Sequence, residues 1–176
     1  RLSLVGSEMC IRDSTKTRPL PGALGLDEPT GEAIGKLARG LAEEHAIDFE
    51  TASHLAQVYG VRARILAEMI EQDDDLGLRI VPDVPSVWAE VEFAVRHDLA
   101  RTVDDVLSRR TPILLCAATQ GLDVVERVAV TMGGILDWTD EERIREIARY
   151  REVVAASRRF REEPAPSAAI AGPAAR

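Results

Sequence analysis

The sequence predicts an all-α fold: a single small helical bundle of about seven helices, followed by a disordered C-terminal tail. Three observations carry this. Aromatic residues are only 4% while Ala and Leu are plentiful, and Ala and Leu lose little side-chain freedom in a helix. Apolar residues recur at i, i+3 and i+4 in one segment after another. No series of alternating strands separates those segments, and no internal repeat is visible.

At 176 residues the chain has room for one domain with a modest core. RPLPGALGLDEP, from Arg18, holds three Pro and two Gly and predicts a loop. A first helix is predicted from Pro29 to Glu44, on Ile34, Leu37, Ala38, Leu41 and Ala42. Asp48 is the predicted cap of a second, with Phe49, Ala52, Leu55 and Val58 on one face and Gly60 as its stop. The third carries Val61, Ile65, Leu66, Met69 and Ile70 and runs out in the acidic EQDDDLG.

RIVPDVP, with two closely spaced prolines, predicts a short extended arm. Ser86 is expected to start the fourth helix, with Val87, Val91, Ala94 and Val95 inward and Leu99 near its end. Thr102 and Asp105 resemble a capping box for a short fifth helix on Val103, Val106 and Leu107. ILLCAA reads equally as a strand or a buried helical linker. The sixth helix holds Val124, Val125, Val128, Ala129 and Met132 and is expected to end near Gly133-Gly134. Thr139-Asp-Glu-Glu142 is a capping box for a long last helix on Ile144, Ile147, Ala148 and Val154. The Ala- and Pro-rich text after Glu163 has no periodicity and predicts disorder. The resulting division is a leader over 1–14, a linker loop over 15–28, a helical domain over 29–162 and a tail over 163–176.

Composition limits function. A net charge of -8 argues against a nucleic-acid partner, because affinity for phosphates comes from clustered Lys and Arg. Two cysteines, Cys10 and Cys116, make neither a disulfide framework nor a metal quartet, and imply a reducing, cytoplasmic setting. No run of about 18 apolar residues exists to span a membrane.

The candidate motifs fail in turn. Gly31-Glu-Ala-Ile-Gly35-Lys36-Leu37 resembles a phosphate loop but is one residue short, with Leu where the hydroxyl belongs. Glu71-Gln-Asp73-Asp74-Asp75 lacks the offsets of a calcium loop. His45, His54 and His97 are scattered, and Ser14, Ser53, Ser86 and Ser108 lack a nucleophile setting. FETASHLAQVYGVRARIL reads either as a helical hairpin or as a helix-turn-helix that turns Arg62 and Arg64 toward DNA. Arg109-Arg110-Thr111 follows a helix end, where basic residues complement the dipole; pairing with an acidic partner surface is the alternative. No GxGxxG follows a strand. No catalytic, cofactor-binding or metal-ligating residue is assigned.

Several blocks, in order, resemble the FAD-dependent (aerobic) glycerol-3-phosphate dehydrogenases. TKTRPLPGA is similar to the segment that follows their flavin domain, and HLAQVYGVRARILAEM to a helix around their Tyr-Gly turn. IVPDVPSVWAEVEFAVRHDLARTVDDVLSRRT resembles their most recognisable C-terminal block, and LDWTDEE with IREIARYREVV their last helix. Pro112 departs from the basic residue usual after Arg-Arg-Thr, and ILLCAATQG is also unusual for the family. The resemblance covers residues 15–154.

What the resemblance implies is a parent flavoprotein that oxidises glycerol 3-phosphate to dihydroxyacetone phosphate by hydride transfer to FAD. Electrons then pass to quinone, with the parent peripheral at the inner membrane face; an oxidase of the same family would use oxygen. The catalytic motifs of that family lie upstream, so this chain is expected to be the C-terminal cap. It would bind no FAD itself, be inactive without its partner (the N-terminal FAD and substrate domain) and be prone to self-association through an uncovered face. RLSLVGSEMCIRDS resembles translated adapter sequence, so 1–14 is expected to be non-native. The alternatives are a helix-turn-helix DNA-binding module and a stand-alone helical interaction module.

Overall fold

The structure, a computed structural model, describes residues 18–26 and 30–159. The leader, the tail from 160 onward and Pro29 lie outside the described residues. Among these, the chain forms seven α-helices, three 3-10 turns and one π-helix, with no strand. The helices are α1 (Gly31–His45), α2 (Phe49–Tyr59), α3 (Ala63–Gln72), α4 (Trp88–His97), α5 (Ile113–Cys116), α6 (Val125–Leu136) and α7 (Asp140–Arg158). The π-helix, Asp105–Arg110, lies between α4 and α5.

The first three helices follow the sequence closely, with shifts at the edges. Thr30 caps α1 by accepting from the Ala33 N–H, so regular helix begins at Gly31. Asp48 caps α2 through the Thr51 N–H at 2.9 Å. Phe49 and Val58, expected inward, are 54% and 53% exposed. The buried stripe is Ala52, Leu55, Ala56 and Tyr59, because Tyr59 at the helix end turns in toward a buried acid and carries Val58 outward. In α3 the fully covered residues are Ala63, Leu66, Ala67 and Ile70; Val61, Ile65 and Met69 pack only partly. The acidic run has a local use: the Asp73 carboxylate accepts from the Asp75 N–H at 3.0 Å and opens the 3-10 turn Asp74–Gly77.

RIVPDVP is not an extended arm. It doubles back, with Ile80 N–H donating to Ser86 O at 2.9 Å and Trp88 N–H to Leu78 O at 3.0 Å. The turn buries Val81 and Val84, which an arm would leave in water. Helix α4 starts at Trp88, not Ser86, because the cap is supplied from inside the helix: Glu90 Oε1 accepts from the Val87 N–H at 2.8 Å.

Helix α4 is the spine of the molecule. Val87, Ala89 and Phe93 face one core, built with α1, α2 and α3. Trp88, Val91, Ala94 and Val95 face a second, built with the π-helix, α6 and α7. A helix with two apolar faces must have both covered, and here two layers cover them, leaving Arg96 and His97 at its end exposed. Burying a side chain such as Phe93 contributes about 1.5–3 kcal/mol.

The second core departs most from expectation. The Thr102–Asp105 box forms, with Asp105 N–H to Thr102 Oγ1 at 3.1 Å and Thr102 N–H to Asp105 Oδ2 at 3.0 Å. The turn behind it is π-wound and closes through Thr111, whose N–H and hydroxyl both donate to Val106 O. ILLC is a short helix, α5, that buries Ile113 but leaves Leu115 84% exposed. Helix α6 runs through Gly133-Gly134 to Leu136 and stops at Asp137, in a left-handed conformation. The bare surface of Gly133 instead receives the Trp138 side chain. In α7 the capping box forms, but Ile144 and Ala148 are exposed and Tyr150 and Val154 make the core contact.

Candidate functional site

Two features organise the polar chemistry near α4. The first is the buried carboxylate of Glu90, only 1% exposed. Its Oε1 takes the Val87 N–H and faces His54 Nε2 at 2.9 Å; its Oε2 takes the Tyr59 hydroxyl at 2.9 Å. The Nε2-protonated tautomer of His54 fits that acceptor. Burial, then the neighbouring Glu90 charge, pushes the Tyr59 hydroxyl well above the ordinary tyrosine range. Every polar atom of Glu90 is thereby used to join α2 to α4, as buried polar groups require.

The second is a surface cleft of about 510 Å³. Its floor is the Tyr59–Arg62 turn, one wall is the 3-10 turn Pro21–Ala23, and the other is Asp98 with Arg109 and Arg110. The Pro21–Ala23 wall is held by backbone contact: a Cβ on Gly22 would stand 2.8 Å from Tyr59 O. Arg62 Nη2 donates to Asp98 Oδ1 at 2.7 Å, and its guanidinium lies over the Phe93 ring, 4.7 Å from the centroid. Arg109 pairs with Asp104 and Asp105. Arg110 Nη2 donates to the main-chain O of Asp98 at 2.7 Å.

The residues weighed in the sequence do not converge. His45 pairs with Glu71 at 2.8 Å, His54 with Glu90, and His97 stacks on Phe93 with centroids 4.8 Å apart. Among the described residues no three His, Cys, Asp or Glu gather as a metal would need. Ser53 bonds Gln57, Ser108 bonds Asp104, and the Ser86 hydroxyl is buried without a protein partner among the described residues. Arg64 pairs with Glu44 at 2.9 Å. Arg62 and Arg64 are thus each tied to an acid of this chain. Cys116 is an exposed free thiol, and Cys10 and Ser14 lie outside the described residues.

Glu90 and the Gly22 contact escaped the sequence reading. Glu90 had a usable signal, an acid set inside the apolar WAEVEFAV. The Gly22–Gly60 contact had none, since each glycine looks locally like ordinary turn punctuation.

The described residues do not fit a flavin dinucleotide. Such a site needs a helix N-terminus fed by a strand; no strand occurs among the described residues, and the glycine-bearing start of α1 already has its Ala33 N–H occupied by Thr30.

Comparison with known proteins gives a consistent answer. A family model described as the C-terminal domain of alpha-glycerophosphate oxidase matches residues 13–143. A glycerol-3-phosphate dehydrogenase of Synechocystis sp. is 33% identical over 138 residues, 78% of this chain and 24% of that protein. The mitochondrial glycerol-3-phosphate dehydrogenase of Bos taurus is 28% identical over 116 residues, 64% of this chain and 16% of that protein. The human mitochondrial protein is 30% identical over 104 residues, 57% and 14%. The chain spans about a quarter or less of the length of these relatives.

Proposed function

Because this chain belongs to the family of the C-terminal domain of alpha-glycerophosphate oxidase, we propose that it is the helical cap of an FAD-dependent glycerol-3-phosphate dehydrogenase. In that role it supplies shape and contacts, and the polypeptide that precedes this domain in its relatives supplies flavin and substrate binding. The bound flavin would accept hydride from glycerol 3-phosphate, leaving dihydroxyacetone phosphate. The residues described here would do none of that chemistry alone. Quinone as the final acceptor and a peripheral place at the inner membrane face belong to the same proposal. So does a protein surface, not nucleic acid, as the partner.

One observation carries the reading: the family match spans residues 13–143, from before Arg18 to the first turn of α7. The structure supports it by giving α4, the most covered helix, only structural work for its one buried acid.

The test is a fusion in which this chain replaces the matched segment of the Synechocystis glycerol-3-phosphate dehydrogenase. Reduction of a dye acceptor by glycerol 3-phosphate is expected to exceed that of the same relative truncated before the segment. A fusion no more active than the truncated protein would contradict the proposal.

A further inference from the structure

The cleft between the Pro21–Ala23 turn and the π-helix combines three features that an isolated surface has no use for. The first is charge. On a chain of net charge -8, this cleft is lined by Arg62, Arg109 and Arg110 against a single acid, Asp98. Arg62 and Arg109 are neutralised by carboxylates. Arg110 has none among the described residues; its bond is to a main-chain carbonyl. That bond aims the guanidinium without cancelling its charge, and the rest of its donor fork stays open for a carboxylate.

The second is an apolar rim. Leu20 is 78% exposed and Val58 is 53% exposed beside the arginines. Leu99, next to Asp98, is 73% exposed and sits at φ 59, a left-handed conformation disfavoured for a residue with a Cβ. That backbone lets the Ala100 N–H reach Ala94 O at 2.9 Å while holding the leucine out into water.

The third is a tether. Gly22 lies backbone to backbone on Gly60, which fixes the Pro21–Ala23 turn as the cleft wall. In a parent that carries polypeptide before this domain, that polypeptide would be held close to the cleft, at an effective concentration on the order of millimolar.

Resting on the reading above, we propose that this cleft is where the cap docks on the preceding part of its parent enzyme. Its occupant is a carboxylate-bearing ridge with apolar flanks, and Arg110 is the anchoring cation. The π-helix serves this by placing Arg109 and Arg110 at its end, the first tied inward to Asp104 and Asp105, the second facing the cleft.

The test uses the Synechocystis fusion described above. Arg110→Glu should speed protease cleavage at the junction at least tenfold and lower the temperature of flavin release, with helical circular dichroism unchanged. Arg110→Lys should fall between Arg110→Glu and the unaltered fusion. Val130→Glu, on α6 and outside the cleft, should match the unaltered fusion. Raising salt should speed cleavage of the unaltered fusion and leave that of Arg110→Glu unchanged. Cleavage and flavin release in Arg110→Glu equal to those of the unaltered fusion would overturn the docking site and leave the family reading standing. An unaltered fusion no more active than the truncated relative would overturn both.

Discussion

Gly22 and Gly60 touch through their backbones. A Cβ on Gly60 would overlap the Gly22 carbonyl oxygen outright and stand 2.8 Å from the carbonyl carbon. Gly60 itself sits at φ 57, ψ -136, a combination open to glycine and closed to residues with a Cβ. One contact thus ends α2, starts the turn into α3 and pins the segment that leads into the domain.

Gly60→Ala is therefore expected to cost well over the roughly 1–3 kcal/mol of the backbone strain alone, since the Gly22 segment must also be displaced. Gly40→Ala, in the middle of α1 with no close neighbour, should instead stabilise by about 0.5–1 kcal/mol. Urea unfolding of both variants checks the contrast. Equal effects would remove the contact from the account.

Glu90 is the acceptor for two α2 side chains and for the start of its own helix. Tyr59→Phe leaves Glu90 Oε2 without its donor and should cost about 1–3 kcal/mol. Glu90→Gln turns one acceptor into a donor and should cost a similar amount. Because the two changes break the same bond, the double variant should be less destabilised than the sum. Strict additivity in a denaturant cycle would show that the bond contributes nothing.

The stability of the chain should fall off at both ends of the pH scale. Partial burial pushes Asp105 up, but the Arg101 and Thr102 N–H groups, the Thr102 hydroxyl and Arg109 outweigh it and hold the carboxyl below its ordinary 3.8. Asp48 is likewise held low by Thr51 against the effect of burial, and Glu142 by the Thr139 backbone and side chain. A carboxyl depressed in the fold stabilises it above the unfolded value and loses that as pH drops through the folded one. Tyr59 and Tyr150 are both raised, chiefly by burial. Their contribution is complete below the ordinary 10.0 and is lost as pH climbs past it. Melting temperature is expected to be level from about pH 5 to 9, to drop below about 4 and to drop again above about 10. A melt still level at pH 11 would contradict the burial of the two tyrosines.

The two cores share α4, so they should unfold together. Phe93→Ala, in the first, should cost about 3–5 kcal/mol, and Leu107→Ala, in the second, about 2–5 kcal/mol. Each should lower one common transition followed by circular dichroism. Two separate transitions, each moved by only one variant, would show that α4 does not couple them.

Much of the fold was legible because its signals are local. The caps at Asp48 and Thr139 and the Thr102–Asp105 pair are read from residues three apart, and all three form as expected. What failed depends on distant partners. Val58 has the right spacing for the α2 core, but Glu90 draws Tyr59 in and turns Val58 out. Gly133 and Gly134 look like a helix stop, but α6 continues through them to Leu136, and Trp138 packs beside Gly133. The π-winding comes from Thr111 folding back on Val106, which no periodicity records. The cleft was half legible: Arg109-Arg110 stood out as a basic step, yet which arginine is neutralised is decided by Asp98, Asp104 and Asp105 in space.

The central claim is that this domain shapes and docks, and that the redox chemistry belongs to other polypeptide. The most direct measurement is on the purified chain itself, titrated with FAD and followed by flavin fluorescence, then assayed with glycerol 3-phosphate and a dye acceptor. The account predicts unquenched flavin and no dye reduction. Stoichiometric flavin binding with substrate-dependent reduction would contradict it.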